Sequence, residues 1–212
     1  MPEPDQRPRP PEPAPDPAEA VPLRGERVAL EPLAPGHAGD LRAVVAEGDL
    51  HRTWCTRIPA PDQVEAEVER RLGLQRAGTM APWVVRRLDT GAVCGATTYM
   101  AITPEHRRLE VGSTFLAPSA QRTGVNAEAK LLLLTRAFEV LDCVAVEFRT
   151  HWHNATSRRA IERLGAKQDG VLRSHQVMPD GSLRDTVVYS ITAAEWPAAR
   201  SALRARLARG AA

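Results

Sequence analysis

The chain has 212 residues, 43% hydrophobic and 25% charged, with a net charge of +2. That length suits one domain with a sizeable core, and so small a net charge excludes the global basic field of a nucleic-acid binder. No apolar run reaches the roughly 18 residues of a membrane helix, and the N-terminal stretch has no apolar signal core. The three cysteines, Cys55, Cys94 and Cys143, form no C-x-x-C pair, which points away from zinc and disulfide scaffolds and toward reduced thiols in a cytoplasm.

Met1 to Pro22 holds half of the chain's 18 prolines among Glu, Asp, Arg and Ala. It is expected to be a disordered or polyproline-like tail, followed by one domain over residues 23–212. From there, hydrophobic periodicity sets the elements. Arg27–Leu33 reads as a strand and Pro35–Glu47 as a helix with Leu41, Val44 and Val45 facing inward. His51–Pro61 is irregular, and its Trp54 either lines a substrate cleft or simply packs. Asp62-Gln-Val-Glu65 fits a capping box for a second helix with Val64, Val68 and Leu72 on one face. Pro82–Leu88, Ala92–Thr103 and Arg107–Ala117 read as a meander of strands, the first two joined by the turn Asp89-Thr-Gly91. A helix with Leu131, Leu134, Phe138 and Leu141 on one face then leads to a strand at Cys143–Thr150. Returning to the sheet after a helix predicts a βαβ crossover, so this strand is expected parallel to Arg107–Ala117. Asn154 suits the N-cap of a short helix in which Ser157, Ile161 and Leu164 share a face and which Gly165 stops. Ala166–Val177 and Leu183–Ile191 form a hairpin turning at Pro179–Ser182, and Thr192-Ala-Ala-Glu195 opens a C-terminal helix. The order β, α, α, β, β, β, α, β, α, β, β, α predicts a mixed sheet with helices packed on it, of α/β or α+β class.

One junction is suited to chemistry. The strand Arg107–Ala117 breaks at Pro118, and the turn Gln121-Arg-Thr-Gly-Val-Asn126 delivers the chain straight onto a helix. A helix start holds unpaired N–H groups and a partial positive charge. Gly124 permits close backbone approach and Arg122 adds charge. The residues alone allow two readings: a phosphate cradle or an ordinary strand-to-helix turn.

The same turn resembles the acyl-CoA pyrophosphate loop of GNAT N-acetyltransferases, Gln/Arg-x-x-Gly-x-Gly/Ala, with Gln121 and Gly124 in place and Asn126 where Gly or Ala is usual. Glu110-Val-Gly112, the run Asn154-Ala-Thr-Ser-Arg-Arg-Ala-Ile-Glu-Arg-Leu-Gly-Ala166, and Gly170-Val-Leu-Arg173 with Arg184-Asp-Thr-Val-Val-Tyr-Ser190 resemble the RimJ/RimL-like branch, from about Leu23 to Pro197. The resemblance implies a GNAT fold, mostly antiparallel with a parallel βαβ fork at the cofactor site. It implies transfer of acetyl from acetyl-CoA to a primary amine, of a protein N-terminus or a small molecule, with no metal. The alternative is a non-catalytic acyl-CoA-binding module. In this family the backbone of Phe115 and Leu116 would pair with the pantetheine arm. The amides of Arg122, Thr123, Gly124, Val125, Asn126 and Ala127 would hold the pyrophosphate behind Gln121. Asn154 would contact the pantetheine or bound acetyl-CoA, and Ser157 would offer its hydroxyl to the leaving thiolate. Direct attack needs a neutral amine, hence a base, and a donor for the oxyanion. Glu110 is the first candidate base; its other reading is a structural carboxylate pairing Arg107, Arg108 or Arg184. His151 and His153 are the second choice, Asp185 is expected to pair an arginine, and Tyr99 and Trp54 are expected to line the acceptor pocket. Neither nucleic acid nor membrane is expected as a partner, and pairing of two copies as a homodimer through strand edges stays open.

Overall fold

The computed structural model describes residues 15–209; of the tail expected over 1–22, residues 1–14 lie outside this part. Strands β1 (Leu23–Arg24), β2 (Val28–Pro32), β3 (Met80–Arg87), β4 (Val93–Thr103), β5 (Arg108–Leu116), β6 (Ala145–His151), β7 (Lys167–Val177) and β8 (Leu183–Thr192) form an 8-stranded sheet ordered β1-β2-β3-β4-β5-β6-β8-β7. Only β5 and β6 pair in parallel; the other neighbours are antiparallel. The helices are α1 (Ala38–Ala46), α2 (Val64–Arg76), α3 (Val125–Thr135), α4 (Ala155–Glu162) and α5 (Trp196–Arg209). Among the described residues no helix is long and apolar enough to cross a membrane.

Strand alternation divides the core between the two faces of the sheet. Trp83 and Val85 of β3 join a cluster with Leu133 and Leu134 of α3 and Leu203 of α5. Val84, between them, joins Leu41 and Val45 of α1 and Val68 of α2 on the other face. A strand buried on both faces reads as the near-continuous apolar run seen in the sequence of β3.

Three boundaries differ from the sequence reading. The described end of the expected tail packs on the domain: Ala18 and Ala20 are buried, Trp83 Nε1 donates to Val21 O at 2.7 Å, and Arg136 donates to the carbonyls of Asp16 and Glu19. Composition sees only proline and charge here; the contacts are made by backbone carbonyls and alanine methyls. A 3-10 turn over Pro61–Gln63 leads into α2 and is capped at Ala60, whose amide donates to Gln63 Oε1 at 3.3 Å, so Asp62 lies inside that turn and Gln63 is the N-cap of α2. Pro61 starts the helical turn, where its missing N–H costs nothing. Finally, α3 widens into a π-turn over Arg136–Val140, which shifts the apolar stripe. Leu133 and Leu134 become the buried pair, with Leu131, Phe138 and Leu141 only partly buried against them.

The N-terminal strands are tied to α3 by one carboxylate. Glu128 is buried and accepts from the amides of Glu26 (3.0 Å), Arg27 (2.7 Å) and Val28 (2.8 Å). Truncation would leave those donors without an acceptor. We expect Glu128→Ala to lower unfolding stability by about 2–4 kcal/mol in urea titrations, and Glu128→Gln, which keeps one acceptor oxygen, to lose less.

Candidate active site

The site begins where the parallel pair comes apart. β5 and β6 are in register only at Arg108↔Ala145, Leu109↔Val146 and Glu110↔Glu147. Beyond that point Val111–Leu116 has no partner on its β6 side, and Phe148–His151 none on its β5 side. A bulge bends β5 at the same place. Its register with β4 shifts between Ala96 and Thr98, and Ser113 takes φ 48°. Arg71 of α2, almost fully buried, holds this bulge by donating to Ser113 Oγ at 2.9 Å. Glu67 accepts from Arg71 Nε at 2.7 Å, and the guanidinium lies over the Phe115 ring. The result is a V-shaped opening edged by strand backbone.

Glu110 sits at the crotch, buried. Burial pushes its carboxyl up to about 7, partly opposed by the positive charge of Arg149. Arg149 Nε lies 3.6 Å from Glu110 Oε2, so the partner is Arg149 rather than Arg107, Arg108 or Arg184. Burial also raises Glu147, its neighbour across the pair, but hydrogen bonds from Arg108 and Arg149 outweigh that and hold it low. Two facing carboxyls thus differ in proton affinity by environment alone.

At the wide end the chain passes from β5 to α3. Gln121 Nε2 donates to Leu116 O at 3.2 Å and Thr123 Oγ1 to Ala120 O at 2.6 Å, which fixes the turn. Arg122 (φ 64°) and Gly124 (φ 86°) both take left-handed backbone. Gly124 is the N-cap of α3 and supplies no side-chain cap. The first helical bond is Glu128 N to Gly124 O. Among the described residues, the amides from Arg122 to Ala127 meet no protein acceptor. Unfilled donors in alternating left- and right-handed backbone are a nest for an anion. Arg27 flanks Gly124, its Nε 3.5 Å from where a Cβ would stand.

Phe115 buries its side chain in the α1–α2 cluster and Leu116 in the α3 cluster, so only their backbone edges the opening. Asn154 caps α4, accepting from Ser157 N at 3.0 Å. Ser157 is half-buried, and among the described residues its hydroxyl has no partner. His151 is buried at the end of β6 and its Nδ1 accepts from His153 N at 3.0 Å; the neutral ring therefore carries its proton on Nε2 and is a donor there. Asp185 pairs Arg173 at 2.6 Å, as expected. Trp54 is 58% exposed and stands edge-on to His151 at 5.0 Å. Tyr99 is a correction: it is fully buried and its hydroxyl donates to Leu133 O, so it lines no pocket.

Two participants escaped the sequence reading. Arg71 follows Val64 and Val68 on the buried face of α2, and an arginine on an apolar stripe is a signal that was there to be read. Lys130 of α3 is buried and donates to Thr97 Oγ1 (2.9 Å) and Thr114 Oγ1 (2.6 Å). Burial pushes it down to about 7. Nothing local in the sequence separates it from a surface lysine.

Comparison with known proteins agrees with this fold. The family described as "Acetyltransferase (GNAT) domain" matches residues 27–167. The "Uncharacterized N-acetyltransferase YoaA" of Bacillus subtilis (strain 168) is 29% identical over 170 residues, 80% of this chain and 95% of that protein. A GCN5-related N-acetyltransferase from Brucella melitensis superposes with TM-score 0.81 at 30% identity, covering 92% of this chain and 88% of that one. Mycobacterium smegmatis RimJ in complex with CoA-disulfide shares the fold, with TM-score 0.73 at 22% identity over 88% of this chain and 93% of its own. The chain belongs to the GNAT acetyltransferase family and resembles its RimJ/RimL-like branch. It is an acetyltransferase acting on an amine.

The raised Glu110 has a consequence for stability. Its proton is lost near 4.5 in the unfolded chain and near 7 in the native one, so this group's contribution is full below pH 4.5 and is lost as pH rises through 7. We expect Glu110→Gln to gain stability relative to the parent across that window, by up to about 3 kcal/mol, read by urea unfolding at pH 4.5, 6 and 8.

Proposed function

We propose that acetyl-CoA is the donor and that the opening between β5 and β6 receives it. The carrying observation is the row of unfilled amides from Arg122 to Ala127 at the start of α3. An acyl-CoA fits this donor set, since its diphosphate would take those amides with Arg122 and Arg27 beside it. Its pantetheine would lie along the unpaired edge of Phe115 and Leu116, with Gln121 holding the turn and Asn154 fixing the start of α4. Bound there, acetyl-CoA supplies an activated thioester.

The remaining work belongs to the chain. Glu110, raised into the neutral range, takes the proton from the acceptor ammonium. Ser157, with a free hydroxyl on α4, donates to the departing sulfur. His151 is a donor through Nε2 and acts as no base. The acceptor is a primary amine, small or protein-borne. The three free cysteines are all buried, which suits a reducing cytoplasm.

Thiol release from acetyl-CoA with an amine panel, beside calorimetric coenzyme A binding, tests this. We expect Glu110→Gln to lower kcat/KM by about 10²–10⁴-fold and to remove an inflection near pH 7 from its pH profile. Ser157→Ala should lower kcat and leave coenzyme A affinity within about twofold. Binding without thiol release for any amine would favour a non-catalytic acyl-CoA module. Unchanged rates in both variants would remove the catalytic assignment.

A further inference from the structure

The acceptor end of the opening is edged by the segment His51–Pro61 and by the β7–β8 hairpin. Two arginines meet there. Arg57 donates from Nη2 to Val177 O at 3.4 Å, and Val177 pairs Leu183, the residue before Arg184. Arg184 donates from Nε to Thr186 Oγ1 at 3.0 Å, and Thr186 is paired to His151 at the tip of β6. Both guanidiniums are bound by one neutral oxygen only. Among the described residues neither has a carboxylate within ion-pair distance, whereas Arg149 and Arg173 nearby are each paired. Burial lowers Arg184, and Arg57, close enough to repel it, lowers it further. Glu110 and Arg184 each feel the other's charge.

Two like charges close together, one half-buried, with no ion-pair partner among the described residues, cost stability that an anion would recover. Each keeps guanidinium N–H groups free for the bidentate geometry a carboxylate fits. Apolar surface surrounds them: Trp54 is 58% exposed, Val177 65% and Leu183 60%. Resting on the reading of this opening as the acetyl-transfer site, we propose that the acceptor amine carries a carboxylate close to its amino group, bound by Arg57 and Arg184 while Glu110 faces the amine. Free α-amino acids and acidic N-termini of proteins share that chemistry.

Matched acceptor pairs test it. Alanine against alaninamide samples free amino acids. The peptide amides Ala-Asp-Gly-NH2 against Ala-Asn-Gly-NH2 sample N-termini. The readout is kcat/KM by thiol release in the full chain and in Arg57→Gln, Arg184→Gln and the double variant, with coenzyme A binding measured beside each. The expected result is a preference of at least about tenfold for the carboxylate member in one arm, which names the source. That preference should fall to within about twofold in the double variant. Equal turnover of both members, a preference that survives the double variant, or no turnover of any acceptor while coenzyme A still binds would each overturn the proposal. Failure of coenzyme A to bind the parent chain would instead overturn the donor site on which it rests.

Discussion

β5 and β6 can stay paired only while both strands run straight, and they do so from Arg108 to Glu110 and no further. The bulge at Ser113 turns β5 aside, β6 continues to His151 against β8, and a sheet otherwise closed by antiparallel pairing opens along one seam. An opened seam leaves backbone N–H and C=O groups without partners, which a folded protein tolerates only where water or a ligand can satisfy them. The rest of the molecule holds that defect in place. Arg71 reaches it from the α2 face and Lys130 from the α3 face.

Charge is placed along the seam in sequence. The narrow end holds Glu110, protonated into the neutral range by burial, opposite Glu147, kept ionised by two arginines. The α3 end presents bare amides and Arg27. The end near His151 presents Arg57 and Arg184, neither in an ion pair among the described residues. A carboxyl of raised proton affinity thus stands between a row of unfilled amides and a pair of arginines, the arrangement on which the proposed acetyl transfer rests.

Much of this was legible before the fold. The apolar run of β3, the long runs of β4 and β5, and the helix between β5 and β6 dictated a mixed sheet with one parallel pair. The turn at Gly124 announced itself because left-handed backbone and a following helix leave few residue choices. Asn154 was readable as a cap for the same local reason. What was not legible is non-local. Tyr99 reads as a pocket residue until Leu133 O is seen to take its hydroxyl. Glu110 finds Arg149 because β6 runs beside it, which no spacing in the chain reveals. The segment from Asp16 to Val21 packs through carbonyls that composition does not register.

Amide hydrogen exchange followed by NMR, with and without saturating coenzyme A, measures the central claim most directly. The account predicts slowed exchange and shifted resonances for Arg122 through Ala127 and along Val111–Leu116, with the paired stretch Arg108–Glu110 little altered. Unchanged exchange at the α3 amides under saturation would contradict it.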